Sequence, residues 1–323
     1  MLRFASAISC LFFFFSAPFS FSQEYPNLLS SSKITTIGYW NNGQAANYHV
    51  KESSASYKGK SDKPHNESTD EYDLKLKVTD STEHTYTFEL TYSNFTTDPK
   101  ALAMMKELAK LEENLVIVYQ TNEYGQFDTI LNLPELKTDL LAKLELAKGI
   151  VQKNTEEEEV KVLFDMVIDN MIKGFEELHS VEALFLTDIL MLHGFYGFEL
   201  SVGKPVEVEM EYPTIGDIVL SGKGNITLNA INKAGDECSF STNERPDKEE
   251  LKEYMYSLAL LFMLDNKKKM NMEELNITLS TKKKLKMELS TGWMTKVVNT
   301  STMKLTNKKG EQRKVSVKEY TKK

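Results

Sequence analysis

Few residues of this chain have the types and spacing that catalysis needs. Cys238 has one counterpart, Cys10, which lies in the N-terminal apolar segment, and none of the five histidines has a spacing that connects it with Cys238. A thiol nucleophile needs a nearby base, so Cys238 is interpreted as a small buried side chain. Paired carboxylates such as Glu176 and Glu177 are frequent in an acidic chain and are expected on its solvated surface.

The sequence also lacks the short motifs that mark common active sites. It contains no glycine-rich phosphate loop, no GxSxG, no HExxH and no CxxC. The most distinctive string is Leu192-His193-Gly194-Phe195-Tyr196-Gly197, which is typical of a helix end with a cation near the negative end of the helix dipole. We therefore predict a protein that is not an enzyme, with no catalytic residue, no metal site and no cofactor.

The most apolar part of the chain is a helical centre, residues 134–203. Its helices carry apolar side chains around most of their circumference, which is more than one helix face can hold. Such helices must be buried against something, and two interpretations fit. In one, they are core between a curved sheet and their neighbours. In the other, sheet and helices enclose an apolar ligand, whose site would be lined by Met166, Phe185 and Met191.

Two β-rich segments flank this centre, residues 23–133 and 204–323. Both alternate apolar and polar side chains in short runs, the pattern of half-buried antiparallel strands. Each segment has the order hairpin, helix, hairpin, with helices near 99–112 and 247–265 and a turn at 281–283. The predicted fold class is α+β, with antiparallel, curved, half-barrel-like sheets packed against helices. The two segments form either two halves or one domain.

Residues 1–22 have the regions of a secretory signal peptide: Arg3, an apolar run at 11–15 and the small residues of Ser20-Phe21-Ser22. No later stretch reaches the roughly 18 apolar residues that a membrane-spanning helix needs. We therefore expect an exported chain with no transmembrane segment in its mature form.

Charge is distributed unevenly along the chain. The sequence has 39 basic and 47 acidic residues, yet residues 266–323 contain 16 basic and only 5 acidic side chains. This basic segment indicates either an anionic surface or another envelope component as partner, or a strand face attracted to the acidic remainder of its own fold. No nucleic-acid partner is expected.

Several of these features together resemble uncharacterised exported proteins of Gram-negative bacteria. They are the signal peptide ending Ser22-Gln23, hairpins crossed by a helix, the string YQTNEYGQF at 119–127 and the string STGW at 290–293. The predicted sheet is similar to the half-barrel of periplasmic lipoprotein carriers. The resemblance implies a periplasmic, outer-membrane-associated or secreted location and an apolar groove, and it brings no catalytic residues.

Two classes of function follow. The first is a non-catalytic envelope protein that binds a lipid-like or other apolar ligand between sheet and helices. The second is a structural or protein-interaction protein of the cell envelope with a solid core.

Overall fold

Strict alternation of buried and exposed side chains produces long strands in this protein. The computed structural model describes residues 27–96, 115–176, 178–213, 219–262, 276–307 and 310–323. Three of the long strands are β3 (Ala45–Lys58), β4 (Asn66–Ser81) and β5 (Thr85–Thr96). In the buried part of each strand, every second residue points an apolar side chain into the core, as Leu74, Leu76 and Val78 do in β4. Strands of this length extend roughly 40–50 Å.

Most of the described strands belong to one curved, antiparallel sheet of 11 strands. After β5 come β6 (Val116–Asn122) and β7 (Phe127–Ile130). Beyond the helical centre, the remaining strands of this sheet are β9 (Pro205–Pro213), β10 (Val219–Asn232), β11 (Glu237–Pro246), β12 (Asn276–Glu288), β13 (Met294–Asn307) and β14 (Gly310–Lys322). The strand order is β7-β6-β5-β4-β3-β14-β13-β12-β11-β10-β9. The predicted α+β class with a curved antiparallel sheet is thus confirmed.

The pairing of β3 with β14 unites the two β-rich segments of the sequence in this sheet, over the register from Tyr48↔Lys322 to Lys58↔Gln312. A second, three-stranded sheet is formed by β1 (Leu28–Ser30), β2 (Lys33–Thr35) and β8 (Glu199–Ser201). The N-terminal end of the described chain is therefore held beside the chain that leaves the helical centre.

Two local predictions about strands are wrong. The polar character of residues 59–70, together with Pro64, predicts a loop over the whole segment, but β4 already begins at Asn66. The turn expected at 281–283 lies in the middle of β12, because Lys282, Lys284 and Lys286 are exposed on one face while Thr281 and Lys283 are buried on the other. A lysine-rich run thus forms a regular strand.

The helical centre folds into three helices, α1 (Leu133–Asn154), α2 (Glu158–Gly174) and α3 (Leu178–His193). Pro134 fits the first turn of α1, where an amide hydrogen has no helical partner. The Asn132 side chain connects this helix start to β6, since its Oδ1 accepts from Val118 N at 2.9 Å and its Nδ2 donates to Val116 O at 3.0 Å. The helix predicted near 99–112 lies outside the described residues.

Of these three helices, α3 is the most deeply buried, and α1 also buries one face. The buried side chains of α3 pack with those of the sheet in the main core, and they include Val181, Phe185, Ile189 and Leu192. On α2, by contrast, Ile168 is the one side chain that is buried among those described, and Val162 is 62% exposed. The expectation that these helices are buried around most of their circumference is therefore wrong for α2. This helix packs on α1, and no helix covers its outer side in the described structure.

A fourth helix, α4 (Lys248–Phe262), packs on β10 and β12 at a distance from the others. Asp247 caps it, with Oδ1 accepting from the backbone N of Glu249 and Glu250. Its Leu251 forms a second, smaller apolar cluster with Leu220 and Ile277. No helix in the described residues is long and apolar enough to cross a membrane.

The depth of burial predicts how α2 responds to truncation of its side chains. Ile168→Ala removes a side chain that is 4% exposed and should lower the free energy of unfolding by about 2–5 kcal/mol. Val162→Ala on the same helix should change it by no more than about 0.5 kcal/mol. Urea unfolding of the two variants beside the parent measures both values, and equal losses would contradict this arrangement of α2.

Candidate functional site

Two neighbouring rows of polar side chains cross the helix-facing surface of the sheet, and we call them together the polar band. Strand register places the members of each row side by side. The first row contains Thr242, Lys283, Asn299, Lys318, Glu52 and Asp70. The second row contains Glu244, Thr281, Ser301, Ser316, Ser54 and Ser68. Because side chains alternate between faces, both rows project from the same side as the apolar core.

Apolar residues border the polar band on one side along its whole length and on both sides on β12 and β13. The next row toward α3 is fully apolar or aromatic and buried, and consists of Phe240, Leu285, Val297, Tyr320, Val50 and Tyr72. On the opposite side lie the cluster beneath α4 and its half-buried neighbours Leu279 and Leu305. On β12 and β13, this face of the sheet is therefore apolar, polar and apolar in succession, whereas on β14, β3 and β4 the positions beyond the band are Lys314, Ser56 and Asn66.

A buried ion pair lies near one end of the polar band. Lys283 Nζ is 2.8 Å from Glu244 Oε1, and the Thr242 hydroxyl donates to the same oxygen at 2.8 Å. The Glu244 side chain is 2% exposed. Gly224 on the neighbouring strand leaves room for it, because a Cβ there would be 3.2 Å from Glu244 Cγ. Lys283 Nζ also lies 5.2 Å above the Phe195 ring, so that both partners are enclosed.

A second buried charge comes from the helix layer. Asp188 of α3 accepts hydrogen bonds from the hydroxyls of Tyr72 at 3.1 Å, Tyr92 at 3.0 Å and Tyr320, and its Oδ1 is 2.5 Å from Lys318 Nζ. Lys318 also contacts Glu52. Since the direct partners of Asp188 stand on β14, β4 and β5, one carboxylate joins α3 to three strands, and Lys318 extends the network to Glu52 on β3.

The charges at Asp188 and Lys318 stabilise each other. Burial raises the pKa of the Asp188 carboxyl, but Lys318 and the hydroxyls of Tyr320 and Tyr92 outweigh it, so that its pKa lies below the ordinary value. Burial lowers the pKa of Lys318, and the carboxylates of Asp188 and Glu52 more than reverse this, so that its pKa is raised. Both groups are therefore ionised at neutral pH.

Between Lys283 and Lys318 lies a hydrogen-bond acceptor, the side-chain oxygen of Asn299. Asn299 lies in register with Lys283 on one side and Lys318 on the other, and its Oδ1 is buried with no hydrogen-bond partner among the described residues. Around it the hydroxyls are paired with each other, Ser54 with Ser68 at 2.9 Å and Thr281 with Ser301 at 3.1 Å. An unsatisfied buried polar atom is costly, and a hydrogen-bond donor placed there would remove that cost.

The distinctive strings of the sequence meet at a separate place, an aromatic junction around Trp40. His193, Tyr196 and Trp293 lie with ring centroids 4.9–5.8 Å from that of Trp40. Gly125, at φ +96°, is required in this junction, because a Cβ would be 2.9 Å from the Trp40 ring. The strings 119–127, 192–197 and 290–293 are therefore distinctive because they pack together.

His193 is a neutral hydrogen-bonding residue in this junction. Its Nδ1 is 2.8 Å from Gly125 O, and its Nε2 is 2.7 Å from the Tyr119 hydroxyl. Burial lowers the pKa of His193 to about 4, against a smaller opposing effect of the bond to Gly125. The interpretation of His193 as a cation at the end of its helix is therefore wrong, since at neutral pH Nδ1–H donates to Gly125 and Nε2 accepts from Tyr119.

Cys238 is buried, as predicted from the sequence, and its thiol donates to Met287 O at 3.6 Å. Burial raises the pKa of this thiol above its ordinary value, which removes thiolate character. No group of metal-ligating side chains occurs in the part of the chain that the structure describes.

The three residues predicted to line an apolar ligand site lie in different surroundings. Phe185 is buried in the main core, Met191 packs against that core, and Met166 is half-buried on α2. Two open clefts of about 670 and 770 Å³ run along β9, β10 and β11, away from all three. A ligand site at Met166, Phe185 and Met191 stays a prediction.

Six lysines of the basic segment 266–323 form ion pairs with acidic residues of the same chain. They are Lys283, Lys286, Lys296, Lys318, Lys322 and Lys323. The pairs of Lys296 and Lys322 lie within the segment, with Glu319 and Glu288. The other four have partners outside it and support the interpretation of this segment as strands attracted to the acidic remainder of the fold.

The fold defines an α+β protein with a large open antiparallel sheet, and comparisons with known proteins place it in no family. No family model and no curated protein matches the chain. A structure titled for lipid–protein interactions in lipovitellin is similar with a TM-score of 0.39 and 10% identity, covering 88% of this chain and 25% of that chain. The outer membrane protein Omp33 of Acinetobacter baumannii is similar with a TM-score of 0.15 and 5% identity, covering 87% of this chain and 100% of that chain. Similarity this low carries no functional argument.

The Asp188 network gives a stability prediction. Asp188→Asn keeps the shape but leaves Lys318 with Glu52 as its remaining carboxylate, so we expect a loss of about 3–5 kcal/mol in unfolding free energy. The same chemical change in the exposed pair of Lys51 and Glu71, Glu71→Gln, should have a much smaller effect, because solvent screens that pair. Urea unfolding at pH 7 compares the two, and losses of equal size would contradict a special role for Asp188.

His193 gives a pH dependence. Because the pKa is lower in the folded state, the unfolded chain binds more protons between pH 6.5 and 4. The contribution of His193 to the free energy of unfolding is therefore complete above pH 6.5, and it decreases by about 3 kcal/mol as the pH falls to 4. Urea midpoints between pH 4 and 7 should fall more steeply for the parent than for His193→Gln. Should that variant fail to fold, NMR titration of His193 in the parent decides, and a pKa near 6.5 would contradict the prediction.

Proposed function

We propose that this chain is a non-catalytic, exported envelope protein that binds a lipid-like amphiphile on the helix-facing side of its sheet. The polar band receives the head group, and the apolar residues beside it receive the chain. The observation that carries the proposal is the buried Asn299 Oδ1, unpartnered among the described residues, within a polar band that has apolar residues on both sides on β12 and β13. An amphiphile has the same succession of polar and apolar surface.

The charges of the polar band determine which head groups fit. Two lysines, Lys283 and Lys318, stand there with the carboxylates of Glu244, Glu52 and Asp188, and each lysine is already paired. With carboxylates in excess, an anionic head group would be repelled. The hydroxyls and the free Asn299 acceptor favour a neutral or zwitterionic head group that donates hydrogen bonds.

The apolar chain of the ligand is assigned to the side of the band near α4. The row toward α3 is closed, since Val50, Val297 and Tyr320 are each 0% exposed. Leu279 and Leu305 on the other side are only half-buried. An apolar chain laid over them would remove more surface from water, at about 25 cal/mol per Å².

The alternative class remains a structural or protein-interaction protein of the cell envelope with a solid core. The closed row toward α3 favours it, because the main core needs no ligand to complete it. The export proposed for both classes rests on the signal-peptide pattern of residues 1–22.

Lipid binding is tested directly with labelled lipids. The purified protein should release a lipid into organic solvent, detected by mass spectrometry. It should also enhance the fluorescence of diacylglycerol and phosphatidylethanolamine with NBD on an acyl chain more than that of phosphatidylglycerol labelled in the same way, because the first two have a hydrogen-bond donor and no net negative charge. Ser301→Phe places a ring in the polar band and should weaken this binding at least about tenfold, whereas Thr302→Phe, on the other face of β13, should not.

Three outcomes separate the hypotheses. Absence of both extracted lipid and fluorescence enhancement would remove the lipid-binding function and leave the interaction protein. Equal weakening by Ser301→Phe and Thr302→Phe would remove the polar band as the site. If Met166→Trp weakens lipid binding and Ser301→Phe leaves it unchanged, the ligand site lies at the central helices and not at the polar band.

A further inference from the structure

The strand β9 is an edge of the 11-stranded sheet. It pairs with β10 along its whole length, from Pro205↔Thr227 to Pro213↔Val219, and no described strand pairs with its other side. Edge strands present a row of unpaired backbone groups that can add a further strand. Proline at both ends marks the limits of this edge.

The side chains of β9 alternate in charge and polarity. Glu207, Glu209 and Glu211 are exposed on one face, while Val206, Val208 and Met210 are half-buried on the other. The three carboxylates form no hydrogen bond or ion pair within the described residues. Lys223, in register with Glu209, is the one cation directly opposite them on β10, because Glu207 faces Asn225 and Glu211 faces Ser221. The edge therefore has an acidic face with an excess of negative charge.

Two open clefts follow the same strands. The cleft of about 770 Å³ is lined by Glu207 and Glu209 together with Asn225, Asn243 and Arg245, and that of about 670 Å³ continues past Glu211 to the start of α4. They show that the surface beside β9 is concave and accessible. Side chains of an added strand would find space there.

Charge excludes a second copy of this chain as the occupant. When two β9 strands pair antiparallel in one continuous sheet, the glutamates of one lie on the same face as those of the other and opposite to them. Like charges directly opposite each other across strands are destabilising. The same acidic row attracts a strand with basic side chains at alternate positions.

We propose that β9 is a docking edge for an extended segment of another polypeptide, in which Lys or Arg alternates with apolar residues. The basic side chains of the partner face Glu207, Glu209 and Glu211, and its apolar side chains continue the row of Val206, Val208 and Met210. Backbone hydrogen bonds supply affinity, and the alternation of charge supplies specificity. This site is on a different part of the sheet from the polar band, so the two proposals succeed or fail independently.

The test uses synthetic nine-residue peptides, matched to the length of β9. A fluorescein-labelled peptide of alternating Lys and Val should bind the full chain in an anisotropy titration, and one of alternating Glu and Val should not. The triple variant Glu207→Lys, Glu209→Lys, Glu211→Lys should bind the Lys peptide at least about tenfold more weakly and gain binding of the Glu peptide. The variant Glu67→Lys, Glu83→Lys, Glu123→Lys has the same net charge and alters exposed sites elsewhere, and it should behave as the parent.

Backbone pairing is tested separately from charge. Methylation of alternate amide nitrogens in the Lys peptide removes strand hydrogen bonds without changing its charge. Two such peptides, methylated at odd or at even positions, cover both edges of the added strand, and one of them should bind at least about tenfold more weakly than the unmethylated peptide. Equal binding of all three, unchanged specificity in the charge-reversed β9 variant, or self-association through β9 in sedimentation would each overturn the proposal.

Discussion

The structure depends above all on the pairing of β3 with β14, which joins strands from the two ends of the described chain. Without it, the sheet would be two separate sheets, β7 to β3 and β14 to β9. The polar band would be divided, because Lys318 and Ser316 stand on one side of this pairing and Glu52 and Ser54 on the other. The sequence separation is large, but the entropic cost of closing a loop grows slowly, by about 0.6 kcal/mol for each doubling of its length.

Buried charge is the second constraint, because it fixes where the helices lie. An ionised carboxylate in the interior costs several kcal/mol unless its partners are correctly placed. Asp188 finds Lys318 and the tyrosine hydroxyls only at one position of α3 over the sheet. Apolar packing alone would tolerate small shifts of a helix along a strand. The network around Asp188 does not, and it therefore specifies the register between the helix layer and the strands.

Much of the fold could be predicted from the sequence because it depends on local alternation. Leu74, Leu76 and Val78 indicate a half-buried strand without any knowledge of their partners. The turn expected at 281–283 shows the limit of this reasoning, because a run of lysines resembles a solvated turn until Glu244 is known to face Lys283. The strong apolar character of α2 was likewise misleading. Hydrophobicity indicates that a helix surface needs a packing partner, but it does not indicate which element of the fold covers that surface.

The candidate site was less accessible to such reasoning. The residues of the polar band are distributed over six strands from two distant segments, and only the strand register brings Lys283, Asn299 and Lys318 together. The same holds for the aromatic junction, whose three strings were recognised as distinctive without any indication that they surround Trp40. The sequence of one strand can indicate a polar stretch, but a row of side chains across neighbouring strands is defined only by the strand order and register.

The order in which the strands are made also has a consequence for how the protein reaches this structure. β3 ends at Lys58 and β14 begins at Gly310, so β3 has one open side throughout synthesis of everything between them. During that time, the tyrosines and serines of β3 and β4 face solvent and any neighbouring unfolded chain. A chain with this topology would benefit from a chaperone that covers the open side of β3 until β14 has been synthesised.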